Sequence, residues 1–356
     1  MSIYNFSAGP SILPKSVLEQ ASEAVTNFNN SGLSILEISH RSKAFISVME
    51  EAESLVREIL EVNDEYAVLF LSGGASTQFF MAPMNLLDHH EKAAYADTGT
   101  WASKAIKEAR LFGEIDVIAS SKADNYTFIP KIPEVSTQYR YLHITTNNTI
   151  YGTQYHTLPS VKIPLVADMS SDIFSKPVNV NKFDLIYAGA QKNFGPAGTT
   201  LVIVKKEVLG KVQRQIPAML DYRNHIDNGS MYNTPPVSPI YVAMLTLRWI
   251  KQQGGVIAMK KSSEEKASLL YTEIERNSRF YCPVHESDRS HMNICFLTKS
   301  PEDEEKFLKL SKSAGCDGLS GHRSVGGFRA SVYNAMPKEG VLHLIKTMQE
   351  FEAGNQ

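Results

Sequence analysis

Residues 184–204 read DLIYAGAQKNFGPAGTTLVIV. An apolar run (185–188) closes on small residues, Gln191 and Lys192 follow, then a glycine-rich turn, then a second apolar run (200–204). Short apolar runs bounded by glycine suit strands buried on both faces. A lysine leaving such a strand end faces a crowded space that disfavours the ammonium and frees an amine for Schiff-base formation. Taken alone, a solvated loop lysine is the commoner reading of Lys192.

Working outward, apolar runs at 67–71, 93–96, 115–119, 141–145 and 165–167 are further buried-strand candidates. Helical stretches at 14–27, 43–60, 77–87 and 102–111 alternate with them, which favours α/β architecture with a mostly parallel sheet covered on both sides. A long helix follows Pro235, Pro236 and Pro239 and stops at Gly254–Gly255, and a second runs over 256–277. Strand-like runs at 292–297 and 328–333, with helices at 303–314 and 338–351, read as a small α+β unit. The expected division is an N-terminal segment near the active site (1–15), a large domain (16–255) and a small C-terminal α+β domain (256–356).

The 356 residues are 43% hydrophobic and 21% charged with a formal net charge of −2, an ordinary globular composition without runs of like charge. No nucleic-acid or anionic-lipid partner is expected. No apolar stretch reaches bilayer length, and the N-terminus lacks a basic, apolar leader, so the expected location is cytoplasmic, without membrane attachment. Three cysteines in no metal or disulfide pattern fit a reducing compartment. The ten histidines show no ligand spacing, so no metal is expected.

Asp168 closes the run LVAD at 165–168, and one more strand fits between it and Lys192, so both side chains can emerge at one sheet edge. A carboxylate against a pyridine nitrogen keeps that nitrogen protonated; a helix-cap or turn role fits Asp168 equally well. SGGAST (72–77) links a strand to a helix and can surround a phosphate with N–H groups and the Ser76 and Thr77 hydroxyls. It matches neither nucleotide-binding glycine motif. Trp101 begins a helix where it can stack on a planar ring or simply pack. GHRSVGGFRASVYN (321–334) sets His322, Arg323 and Arg329 among glycines, and His40–Arg41 repeats the pairing. Guanidinium groups grip carboxylate and phosphate bidentately, so these residues are candidates for an acidic substrate.

NFSAGP (5–10), SHR (39–41), SGGAST, TGTWAS (98–103), NNTIYGTQ (147–154), VADMSSDI (166–173), YAGAQKNFGPAG (187–198), NTPP (233–236) and GHRSVGGFRASVYNA (321–335) occur end to end in the chain. In this order they resemble the phosphoserine aminotransferases, class V, fold-type I enzymes of pyridoxal 5'-phosphate. The resemblance implies a homodimer with shared active sites, in which Lys192 and Asp168 are catalytic. Lys192 would hold the cofactor, Asp168 would face its ring nitrogen and Trp101 would stack on it. Gly74, Ala75, Ser76 and Gln191 would lie near the phosphate and Thr149 near the phenolic oxygen. Asn233 and Thr234 would reach the phosphate from the neighbouring subunit. His40, Arg41, His322 and Arg323 would surround the substrate's distal acid group, and Arg329 its α-carboxylate. Ala8 and Ala75 depart from members that carry serine and arginine there, so more of the phosphate charge would fall on backbone N–H groups.

The implied reaction passes the amino group of L-glutamate to 3-phosphohydroxypyruvate, giving O-phospho-L-serine and 2-oxoglutarate in serine biosynthesis. Use of 3-hydroxy-2-oxo-4-phosphooxybutanoate, giving 4-phosphohydroxythreonine for pyridoxine biosynthesis, stays open. Rivals are another class V enzyme (an alanine–glyoxylate transaminase or a cysteine desulfurase using Cys316) and a non-catalytic protein that binds the cofactor or an acidic metabolite.

Overall fold

The structure is a computed structural model and describes residues 3–354; the expected first and last segments therefore each have two terminal residues outside the described chain. Seven strands form the main sheet: β1 (Tyr66–Leu71), β2 (Lys92–Asp97), β3 (Glu114–Ser120), β4 (Tyr139–Thr145), β5 (Leu165–Asp168), β6 (Leu185–Gly189) and β7 (Thr200–Lys205). Their spatial order is β1-β7-β6-β5-β4-β2-β3. All neighbours are parallel except β7, which runs antiparallel to both β1 and β6. The mostly parallel α/β sheet expected from the apolar runs is therefore present. The exception has a local cause: only the short turn holding Lys192 joins β6 to β7, and a parallel neighbour needs a crossover of a dozen or more residues.

Alternation along each strand splits the core in two. Val68, Phe70, Leu142, Ile144 and Ile203 face the helices Lys43–Leu60 and Val237–Gln252. Leu69, Tyr95, Tyr141, Val166, Tyr187 and Val202 face the helices Gly74–Leu86 and Thr100–Ala109. β3 departs from the buried strand expected at 115–119: it closes the sheet edge, and Val117 is 40% exposed. An edge strand has a neighbour on one side only, so a short apolar run there need not be covered.

Gly254 and Gly255, at φ 100° and 69°, separate the Val237–Gln252 helix from Gly255–Arg276. Beyond them a three-stranded antiparallel sheet, β8 (Phe280–Tyr281), β9 (Asn293–Thr298) and β10 (Phe328–Ser331), packs with the helices Gly255–Arg276, Glu302–Ser313 and Lys338–Glu352. Phe280 anchors this core, with ring centroids 4.8 Å from Phe307 and 5.5 Å from Phe296. The chain start joins the two regions. Tyr4–Asn5 pairs with Cys316–Asp317, and the Ser11 N–H then donates to the Gln191 carbonyl at 2.9 Å. No helix of the described residues is long and apolar enough to cross a membrane.

Candidate active site

The site forms where strands of the main sheet reach their C-terminal ends, the usual crevice of an open α/β sheet. Register places Thr145 (β4), Asp168 (β5) and Tyr187 (β6) side by side. Lys192 follows β6 in the turn to β7, and Ser11 fixes that turn through a hydroxyl bond to the Lys192 carbonyl, 2.5 Å. The Gly74–Leu86 helix starts beside them, its entry set by Gly73 at φ 97°, where a Cβ would lie 2.0 Å from Thr77 Oγ1. A cavity of about 120 Å³ is lined by Gly74, Ala75, Ser76, Trp101, Thr149, Asp168, Gln191 and Lys192. All eight were expected at the cofactor from the sequence.

Lys192 Nζ donates to Thr149 Oγ1 at 2.7 Å and lies 5.9 Å from the Trp101 ring centroid. Burial pulls its amine down to about 8; the Asp168 charge works against this, and Arg329 adds to it. Asp168 is 4% exposed and its carboxyl is pushed above the ordinary range by burial, offset in part by hydrogen bonds from Ser170. The Ser170 N–H donates to Asp168 Oδ1 at 2.9 Å. Such a carboxylate gains most from a cation placed beside it.

A second cavity, about 470 Å³, is lined by Ile150, Tyr151, His322 and Arg329 among others, Ile150 following Thr149 of the first in the chain. Arg329 Nε is buried with no partner among the described residues. His322 Nδ1 shares a hydrogen bond with Ser324 Oγ at 2.7 Å, and burial followed by the nearby Arg329, Arg323 and Lys104 charges lowers its pKa. A further cavity, about 530 Å³, is lined by Thr146 and Asp172 among others and contains none of the expected residues.

His40, Arg41, Asn233, Thr234 and the exposed Arg323 line neither site cavity. Arg41, Asn233 and Thr234 are exposed and His40 is half-buried, all in loops. Thr145, Asn147, Ser170, Ser171 and Phe79 line the smaller cavity although the sequence did not single them out as site residues. Ser170 and Ser171 follow Asp168 after Met169, a signal that also fits a helix cap. Asn147 Nδ2 donates to Ser171 Oγ at 2.7 Å and to Asn293 Oδ1 at 2.8 Å, tying the cavity floor to the C-terminal sheet.

The residues present suit a flat, phosphorylated, cationic ring. The buried carboxylate has no guanidinium partner, Trp101 supplies a wall and an unpartnered buried Nε1, and a Cβ at Gly74 would meet nothing within 4 Å at the helix start.

Residues 3–344 match the family described as Aminotransferase class-V. The curated phosphoserine aminotransferase of Flavobacterium johnsoniae is 59% identical over 354 residues, covering 99% of each chain. The solved phosphoserine aminotransferase of Bacillus circulans subsp. alkalophilus superposes with a TM-score of 0.96 at 44% identity, covering 99% of each chain. The pyridoxal-phosphate-bound phosphoserine aminotransferase of Trichomonas vaginalis gives 0.93 at 37% identity, covering 98% of this chain and all of that one.

Proposed function

The chain belongs to the class-V aminotransferase family, and from that premise we propose that it transfers the amino group of L-glutamate to 3-phosphohydroxypyruvate, releasing O-phospho-L-serine and 2-oxoglutarate. The cofactor is pyridoxal 5'-phosphate, held covalently at Lys192. The observation that carries the assignment is the convergence of Lys192, Asp168, Trp101 and the Gly74 helix start on one cavity.

Bound pyridoxal phosphate supplies an aldehyde carbon and, once its ring nitrogen is protonated, a sink for electrons from the substrate's Cα. The protein does the rest. Asp168 would hold the ring proton, because its buried carboxylate, disfavoured by desolvation and only partly compensated by Ser170 and Lys192, gains from a cation beside it. Lys192 keeps a usable neutral fraction near neutral pH because burial lowers its pKa, so its amine would serve as the base that holds the substrate's Cα proton. Thr149, already bonded to Nζ, fixes the direction of that amine. The N–H groups at the Gly74 helix start receive the phosphate, with Ala75, Ser76 and Gln191 around it.

Arg329, which lines the second cavity and keeps a buried Nε without a partner among the described residues, would bind the α-carboxylate. His322 and Arg323 meet the distal acid, which is a carboxylate in glutamate and a phosphate in the acceptor. Two-fold pairing of subunits would bring the His40–Arg41 and Asn233–Thr234 loops to the neighbour's site, and their absence from the lining of their own cavities supports a homodimer with shared sites. We place the reaction in the cytoplasm, where three free cysteines are at home. Among same-fold alternatives, the desulfurase reading needs an activated thiol. Burial instead pushes Cys316 up to about 11 and Cys295 up to about 12.

The test is Lys192→Ala. Borohydride treatment followed by peptide mapping should place the reduced pyridoxyl group on residue 192 of the wild-type protein and nowhere on the variant, and the variant should not convert glutamate to 2-oxoglutarate. A label at another lysine overturns the assignment.

A further inference from the structure

The cavity of about 530 Å³ takes no part in the reaction above, yet it gathers more cationic side chains than its own carboxylates occupy. Residues from 154–158 and 169–183 line one part of it, and Lys260, Ser263 and Glu264 of the Gly255–Arg276 helix line another together with His291. Its size falls in the range of small-molecule pockets, roughly 300–1,000 Å³. Lys176, Lys182 and Lys260 stand there against two carboxylates, Asp172 and Glu264. Asp172 is 2% exposed and already served: Lys176 Nζ lies 3.3 Å from Oδ2, Thr146 Oγ1 2.5 Å from Oδ1 and Gln154 Nε2 3.2 Å from Oδ2. Lys260 reaches Glu264 only at 3.7 Å with both side chains about half exposed, a pair that contributes little. Lys182 is exposed and makes no ion pair among the described residues.

Two imidazoles add to this excess. His156 and His291 line the cavity with ring centroids 4.8 Å apart. His156 Nε2 lies 2.9 Å from the Arg289 carbonyl, which can only accept, so that nitrogen carries a proton. Burial pulls His291 down to about 4, and the His156, Lys176 and Lys260 charges push the same way, with Glu264 opposing them. Ammonium and imidazole groups are thus held close to one another, and an anion among them would relieve the repulsion. Ser263 supplies a second, independent sign of a missing ligand. It lines the cavity, is 2% exposed, and its hydroxyl has no partner among the described residues. Buried hydroxyls are ordinarily paired, so this one calls for a partner.

We propose that this cavity binds a small organic anion, one carrying phosphate or carboxylate groups, and that its occupancy is felt at Lys192. The second half follows from a shared wall. Along 145–147 and 168–172 the chain lines two cavities in turn: Thr145, Asn147, Asp168, Ser170 and Ser171 line the smaller one, and Thr146, Met169 and Asp172 line this one. The Thr146 N–H donates to the Asp168 carbonyl at 3.0 Å, on the same residue whose hydroxyl meets Asp172. Lys176 is the cation paired with Asp172, and Asp168, Arg329 and Asp172 are the charges that act on Lys192. An anion that draws on Lys176 leaves the Asp172 charge less compensated, and that charge favours a cation at Lys192. The binding site stands apart from the cofactor assignment; only its effect on the bound chromophore rests on that reading.

The experiment titrates the holoenzyme with pyrophosphate and with citrate by calorimetry, and locates the anion from the anomalous signal of tungstate in crystals. Lys182 and Lys260 are exposed and outside the reaction, so the double variant Lys182→Ala/Lys260→Ala should fold and keep its basal activity. Loss of two partly exposed charge contacts predicts roughly tenfold weaker probe binding in that variant. Tungstate should sit in the cavity beside Lys182, Lys260 and His291, and the stronger of the two probes names phosphate or carboxylate as the preferred group. Occupancy should raise the pKa of the bound chromophore in wild type and leave it unmoved in the variant. Equal binding by variant and wild type, or tungstate found only at Lys192 or Arg329, overturns the site. A tungstate peak without saturable binding in solution marks an adventitious ion only and overturns it too. Binding in the cavity with an unshifted chromophore overturns the link to Lys192. A protein that takes up no pyridoxal phosphate overturns the cofactor assignment, while anion binding still decides the cavity.

Discussion

Asp168→Asn is the sharpest perturbation of the site, because it changes charge without changing shape. Asp168 is 4% exposed, and its near neighbours are the Ser170 N–H and the Lys192 amine. With cofactor bound, the carboxylate and the protonated ring nitrogen form a buried pair, and removing one partner of such a pair costs about 3–5 kcal/mol. At about 1.4 kcal/mol per decade, this predicts a loss of roughly 10²- to 5 × 10³-fold in the rate at which bound cofactor accepts the amino group from glutamate. The rate is read by rapid-mixing absorbance at saturating glutamate. The loss is tied to the ring proton, so a cofactor methylated on its ring nitrogen, which carries a fixed charge, should recover much of the lost rate in the variant. Without the Asp168 charge, Lys192 also loses the interaction that holds its pKa up, so its amine should titrate below about 8 in the cofactor-free variant. A variant within tenfold of wild type would refute the reasoning, since the carboxylate would then not be holding the proton.

Gly73→Ala strains the helix start that receives the phosphate, because Gly73 has φ 97° and a new Cβ would sit 2.0 Å from Thr77 Oγ1. A backbone cost of about 1–3 kcal/mol predicts roughly 5- to 150-fold weaker cofactor binding by equilibrium titration, and unchanged affinity would place the phosphate elsewhere. Lys266 is 1% exposed, donates to the Tyr333 and Met336 carbonyls at 2.8 and 3.0 Å, and is pulled down to about 7 by burial. Its folded pKa lies below the unfolded value of about 10.5, so between these two the unfolded chain holds the extra proton and this contribution to stability rises with pH, being flat below 7. Urea unfolding at pH 7 and pH 9 should show wild type gaining up to about 2.7 kcal/mol over Lys266→Met, and parallel pH dependences would show that the amine stays charged in the fold.

Much of this protein is decided by local chemistry, and that part is readable in the chain. Apolar runs bounded by glycine become the main-sheet strands because both faces of a covered parallel sheet must be apolar. Gly73–Gly74 and the Gln191–Lys192 turn announce a phosphate cradle and a crowded amine because positive φ and close approach need small residues. Tertiary structure alone settled three things. It paired β7 antiparallel with β1, a segment more than a hundred residues away that no short-range pattern points to, whereas its antiparallel pairing with β6 follows from the short turn between them. It put β3 at an open edge, although its apolar run looks like that of any central strand. It also set the register that brings Thr145 and Tyr187 against Asp168. A register shift of one residue would turn every side chain to the opposite face without altering the sequence pattern, so the surroundings of that carboxylate exist only in the folded sheet.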